Sequence, residues 1–295
     1  MDQGPLAARI VDSFEAMPAQ LQAAARYVLD RPRDVALLSM REQARQAGVP
    51  PATMTRLAKR LGLDGYDAVR ALYAEAVRSG DLGFAGRADA QLASQTLKGD
   101  RALAAEIATT IAGHVARLAE PATLDRLAAA AARLAASRRI YCLGLRAGHP
   151  IAWHLHYVLS LLGERTVLLD AAGATGTDAI RAATPEDVLL AVSVSPYTRA
   201  TVETARYAAE RGVAVVAVTD SEVSPLAQLA AETVLVATDS PSFFHSLAPG
   251  FAVAEILAAL VAGRGADAPA ALRHTEAQLA AFDTHLRPWS AKAQP

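Results

Sequence analysis

The sequence predicts a multidomain protein: an all-α helix-turn-helix bundle followed by an α/β domain with a five-stranded parallel sheet. Three observations predict it. Through residues 1–80 apolar side chains recur at spacings of three and four, the period of helices that bury one face. Past residue 138 the pattern becomes short runs of Val, Leu and Ile, apolar on both faces, that alternate with helical stretches. Between them, residues 91–137 are rich in Ala and Leu, yet their apolar residues keep to one helical face.

At 295 residues the chain exceeds the usual single domain, and 52% hydrophobic content lets each half bury a core. The formal charge of −1 excludes a protein that coats nucleic acid wholesale. The charge is uneven, however. Residues 41–60 carry Arg41, Arg45, Arg56, Lys59 and Arg60 against Glu42 alone, a small basic patch suited to specific DNA contact. Cys142 is the only cysteine, so an intrachain disulfide is excluded, and its apolar surroundings predict a buried, inert thiol. The N-terminus lacks the charged and apolar regions of a signal peptide, and charges break every apolar stretch short of a membrane span. A cytoplasmic protein with no membrane partner is expected.

Leu6, Ile10, Phe14 and Met17 predict a first helix. Leu21, Ala25, Val28 and Leu29 predict a second, opened by Pro18 and ended by Pro32. Met40 to Gln46 is a short helix with Ser39 as its cap. Gly48 supplies a turn where positive φ is cheap only for glycine, and Pro51 suits the first position of the next helix. Tyr66 to Val77 completes the bundle. Ser79 to Gly86 reads as a hinge, and a connector helix (91–120) and a further helix from Pro121 follow. Strands are expected at Arg139–Gly144, Thr166–Asp170, Val188–Ser193, Ala214–Thr219 and Thr233–Ala237. Crossover helices are expected at Pro150–Leu162, Thr175–Ala183, Arg199–Arg211 and Pro225–Ala230. A charged helix, Pro269–Thr284, ends the chain before a frayed tail from Pro288. The expected domains are 1–80 for the helix-turn-helix, 81–125 for hinge and connector, 126–265 for the α/β domain and 266–295 for the last helix and tail.

In the second helix of the pair, Ala52 to Leu61, one face collects Met54, Leu57, Ala58 and Leu61. Thr53, Thr55, Arg56, Lys59 and Arg60 are left outward, where Thr and Arg reach base edges or phosphates and Lys59 and Arg60 hold the backbone. An ordinary helical hairpin with a solvated basic face fits the same periodicity. The segment 44–65 resembles the reader domain of RpiR-type transcriptional regulators, whose turn reads Ala-Gly-Val-Ser-x-Ala-Thr-x-x-Arg and runs on to Leu-Gly and a later Gly-aromatic pair. Ala47, Gly48, Val49, Ala52, Thr53, Arg56, Leu57, Leu61, Gly62, Gly65 and Tyr66 match it. Pro50 stands at the usual Ser, so phosphate anchoring is expected to rest on Thr53, Arg56 and Lys59. The resemblance implies operator DNA as a partner and a homodimer or homotetramer.

A second constellation, Ser193-Val194-Ser195-Pro196-Tyr197-Thr198, follows a buried strand and precedes a helix. Its hydroxyls and the following helix N-terminus converge on one anion, and ligands of open parallel sheets sit at such strand ends. Plain capping of the helix by the same hydroxyls is the alternative. The loop resembles the Ser-x-Ser-Gly-x-Thr phosphate loop of sugar isomerase (SIS) domains, with Ser193, Ser195 and Thr198 matched and Pro196 at the glycine. That family's first loop, Gly-x-Gly-x-Ser, is Gly144-Leu145-Arg146-Ala147-Gly148 here. Arg146 then offers a bidentate cationic grip in place of the lost hydroxyl. The resemblance implies a small anionic ligand such as a sugar phosphate, bound by Gly144, Arg146, Ser193, Ser195, Tyr197 and Thr198, with His245 lining the pocket.

SIS folds also serve isomerases, which need a base beside a carbonyl. Glu255, His154, His156 and His245 are the candidates, His245 foremost, but none is demanded by a motif. No nucleophile elbow, Walker loop or zinc spacing is present, so no cofactor or metal is expected. The leading expectation is a ligand-responsive transcriptional regulator that is not an enzyme. The alternatives are a sugar-phosphate isomerase with a helical appendage and a non-catalytic metabolite-binding scaffold.

Overall fold

The computed structural model describes residues 4–14, 16–78, 84–170, 175–265 and 267–286. The chain forms two compact units, residues 1–112 with 239–246, and residues 113–238 with 247–295. Among the described residues no helix is long and apolar enough to cross a membrane.

The first unit is helical: α1 (Gly4–Phe14), α2 (Ala19–Asp30), α3 (Pro32–Leu37), α4 (Met40–Gln46), α5 (Pro51–Arg60), α6 (Tyr66–Arg78) and α7 (Phe84–Lys98). Ile10, Val28, Val35, Met54, Leu57 and Val69 meet in its core. Ser39 caps α4 as expected, its hydroxyl accepting from the Glu42 N–H at 3.3 Å. Gly48 takes φ +67°, and the Val49 N–H reaches back to the Ala44 carbonyl at 2.9 Å, which closes the helix end and turns the chain. Gly62 (φ +78°) ends α5 in the same way, with Leu63 N–H on the Ala58 carbonyl at 3.0 Å.

The stretch read as a hinge, Ser79 to Gly86, falls at residues 79–83 outside the described residues, and its last three residues already belong to α7. The expected single connector helix is two. Gly99, at φ +78°, separates α7 from α8 (Asp100–Arg117), because a left-handed residue cannot continue a helix. Beyond it α9 (Pro121–Ala136) starts with its proline in the first turn. The tail from residue 287, including Pro288, lies outside the described residues.

The second unit holds a five-stranded, all-parallel sheet in the order β2-β1-β3-β4-β5. The strands are β1 (Ile140–Gly144), β2 (Thr166–Leu169), β3 (Val188–Val192), β4 (Ala214–Thr219) and β5 (Glu232–Leu235). The period-2 alternation of strands sorts their side chains between two cores. Ile140, Cys142, Leu190, Val216 and Val234 face α9, α10 (His149–Ser160) and α12 (Ala248–Ala262). Tyr141, Leu143, Leu189, Ala191 and Val215 face α11 (Arg199–Glu210) and two short 3₁₀ turns. Burial pushes the Cys142 thiol up to about 12, so it stays neutral.

Two expected crossover helices are single 3₁₀ turns, Asp178–Ala182 and Ala227–Leu229. They close through i→i+3 bonds, such as Ile180 N–H to the Thr177 carbonyl (3.2 Å) and Leu229 N–H to the Leu226 carbonyl (3.0 Å). Ser224 still caps its turn, accepting from the Ala227 N–H at 3.1 Å. After α12 comes α13 (Ala268–Ala281), none of whose residues is buried.

Candidate functional site

In α5, Met54, Leu57 and Ala58 are buried, as is Leu61 just beyond. Arg56, Lys59 and Arg60 are exposed and Thr55 is half-buried. Thr53 is a correction. It was expected outward, but it is wholly buried. It precedes Leu57 by one helical turn, so the two share the core face. Its hydroxyl accepts from Nη2 of Arg56 at 3.1 Å, so Thr53 orients a neighbour instead of reaching outward. Arg60 donates to the Ala16 carbonyl at 2.8 Å and ties the end of α5 to the turn before α2. Thr55 Oγ1 lies 3.7 Å from the Met40 sulfur on α4.

One cation of the patch is spoken for. Arg45 pairs with Glu42 through Nε at 3.0 Å and through Nη2. Its hydrogen bond, with a second from Gln46, brings the Glu42 carboxyl down to about 2. The other cations of the patch, Arg41 on α4 and Arg56, Lys59 and Arg60 on α5, are exposed. A residue the sequence reading missed holds the pair of helices in place. Gln43 is fully buried and accepts from the Tyr66 hydroxyl at 2.6 Å. It also donates to the carbonyls of Val35 (3.1 Å) and Leu38 (2.8 Å).

The loops expected to bind a ligand sit where strand order reverses. β1 is followed by β2 on one side and β3 lies on its other side, so the loops leaving β1 and β3 flank the crevice in which such sheets bind ligands. The two loops touch. A Cβ on Gly144 would stand 2.3 Å from the Gly148 carbonyl oxygen, and one on Gly148 would stand 2.5 Å from the Val192 carbonyl oxygen. Gly148 thus has no room for the serine of the family pattern. Arg146 is exposed and takes φ +55°. It keeps the left-handed backbone natural to the glycine it replaces, a conformation that costs a side-chain-bearing residue roughly 1–2 kcal/mol.

In the β3 loop Ser193 is buried, and its hydroxyl accepts from the Thr198 N–H at 3.1 Å. The bond closes the loop onto itself ahead of α11 and does not cap a helical N–H, as the alternative reading of this loop would have it. Ser195 is exposed, and its N–H donates to Oδ2 of Asp220 at 3.1 Å. Thr198 precedes α11, and its own side chain caps nothing. Burial first, then the charge of Asp220 and a hydrogen bond to it, push the Tyr197 hydroxyl up to about 12. Asp220 was not among the expected site residues. Parallel pairing of β3 with β4 (Val192 opposite Val218) carries it beside the loop.

His245 is not brought to this loop within one compact unit. It belongs to segment 239–246 of the first unit, where its ring stacks on Phe244 at 4.2 Å between centroids and tilts against Phe84 at 6.4 Å. His154 and Glu255 approach across α10 and α12 at 3.9 Å, with Glu255 largely exposed. Burial lowers the pKa of His156. A surface cleft of about 440 Å³ between Asp178, Arg181, Glu203 and Tyr207 shares no residue with the loops. Among the described residues no group of three or more His, Cys, Asp or Glu is placed to hold a metal ion.

Comparison with known proteins gives the fold a context. The SIS domain family matches residues 133–263. The sugar isomerase domain of an RpiR transcription factor from Sphaerobacter thermophilus is 28% identical, with a TM-score of 0.54, covering 61% of this chain and 98% of that one. The Vibrio vulnificus NanR protein, solved in complex with ManNAc-6P, is 21% identical with a TM-score of 0.56, covering 94% of this chain and 98% of its own. No curated protein matches the chain. Residues 133–263 are thus a SIS domain, and in this chain they follow an N-terminal helical unit.

Proposed function

We propose that the chain is a DNA-binding transcriptional regulator that senses a phosphorylated sugar or a related anionic metabolite through its SIS domain. The observation that carries this reading is the exposed face of Arg56, Lys59 and Arg60 on the second helix of a helix-turn-helix, in a chain whose other half is a SIS domain. NanR, which shares the fold over most of this chain, is complexed with ManNAc-6P in its own structure. Positive side chains on an outward helix suit phosphates and base edges, and the switch-point crevice suits a small ligand. Residues 1–80 would read DNA, 126–265 would sense, and 81–125 would connect them.

Readers of this kind act as dimers on near-palindromic sites, so a homodimer or homotetramer bound to operator DNA in the cytoplasm is the form proposed. The protein is proposed not to be an enzyme. A gel shift of the full chain on its own upstream DNA tests the reading. A sequence-specific shift at moderate salt that is lost on Arg56→Ala supports it, and no specific shift sinks it. Turnover of any member of a phosphosugar panel would favour the isomerase reading instead.

A further inference from the structure

The β3 loop carries few N–H groups for an anion. Residue 196 is proline and has none. The Thr198 N–H is taken by the Ser193 hydroxyl. The Ser195 N–H is on the Asp220 carboxylate at 3.1 Å. That carboxylate also accepts from the Thr219 hydroxyl at 3.4 Å. A carboxylate of this chain thus holds an N–H of the loop read as an anion site.

We propose that Asp220 is a built-in competitor for the anion seat of the Ser193–Thr198 loop, so that an anionic ligand binds there only by displacing its carboxylate. The inference rests on the reading of this loop as an anion site. Two anions cannot share one N–H, and like charges at contact distance disfavour each other. The displacement is local. Thr219 is fixed in β4, where its carbonyl accepts from the Val236 N–H at 2.8 Å. Asp220 follows the strand end and is half-buried, beside the exposed Ser195. Its side chain can turn away while the sheet stays still. Asp220 thereby sets selectivity. A dianion, which competes more strongly for the N–H, displaces it, whereas a weak monoanion does not.

The test is titration of the full chain with inorganic phosphate at constant ionic strength, comparing wild type, Asp220→Asn and Asp220→Ala, with circular dichroism confirming the fold of each. Both variants are expected to bind phosphate at least about tenfold more tightly, the scale of removing one like charge from a site. Ser195→Pro in the Asp220→Asn background, which removes the N–H that the carboxylate vacates, is expected to cancel the gain. Phosphate binding by wild type that is unchanged or weakened in both Asp220 variants overturns the inference and leaves the loop as an anion site. No phosphate binding by any of the proteins overturns the reading of the loop, and the inference with it.

Discussion

The phenolic hydroxyl of Tyr66 donates to Oε1 of Gln43 across 2.6 Å, with both side chains out of water. The bond joins α6 to α4, and the amide of Gln43 extends the link to the end of α3. Tyr66→Phe keeps the ring and strands the Gln43 acceptor in the core. A buried, unpaired acceptor costs about 1–3 kcal/mol. The variant is expected to melt the helical unit at lower temperature, followed by circular dichroism. Gln43→Ala should cost more, because it also orphans two backbone carbonyls. In a double-mutant cycle the two changes should be clearly non-additive.

Arg56 and Lys59 lie on the face proposed for DNA. If each holds a phosphate, Arg56→Ala and Lys59→Ala weaken binding to all sequences and each reduces the salt slope by about one unit. Fluorescence anisotropy over a salt series measures both quantities. Thr53→Val should leave the affinity within about threefold, as expected of a buried side chain whose only outward link is to Arg56. A loss at Thr53→Val as large as that at Arg56→Ala would contradict the buried placement.

Gly148→Ser restores the residue of the family's phosphate loop, yet its Cβ would meet the Val192 carbonyl oxygen at 2.5 Å. Backbone cannot yield there without moving β3. The variant is expected to destabilise the second unit by about 1–3 kcal/mol, the usual scale of overpacking, and to bind ligand less well. Thermal unfolding monitored with and without a bound phosphosugar checks both expectations.

Asp187 is buried at the N-terminal edge of β3. Burial by itself raises its pKa, but Arg138 (2.7 and 3.0 Å) and the N–H and hydroxyl of Thr184 outweigh that and hold it below the usual carboxylate range. The folded state therefore prefers the ionised form. The stabilisation is complete above the ordinary aspartate value of about 3.9 and is lost as pH falls through the lowered one. Asp187→Asn is expected to reduce stability at pH 7 and to flatten the acid limb of the curve of unfolding midpoint against pH. An unchanged acid limb would assign acid sensitivity to other carboxylates.

Much of this was legible because it rests on local rules. Gly48, Ser39 and Pro51 each meet a backbone demand at their own position, and the strands of the sheet declare themselves by being apolar on both faces. The errors have physical causes too. Thr53 looked outward because it is polar, but the turn that places Leu57 inward places Thr53 there as well. Segments 175–183 and 225–230 have helical composition, yet they close through i→i+3 bonds as 3₁₀ structure, a choice that composition does not distinguish. Asp220 and Gln43 could not be found from neighbours in sequence. One acts through strand pairing and the other through a helix packed twenty-three residues away.

Segment 239–246 has a consequence for how this chain can be divided. The Phe243 N–H donates to the Gln91 side chain at 2.9 Å, and Phe244 stacks on Phe84 at 5.2 Å. The helical unit is thus finished by eight residues that the ribosome delivers more than a hundred positions after α8. A fragment cut after α8 would leave Phe84 without its ring partner and Gln91 without its bond. Moving the helical unit onto a foreign SIS domain would require transplanting this piece along with it.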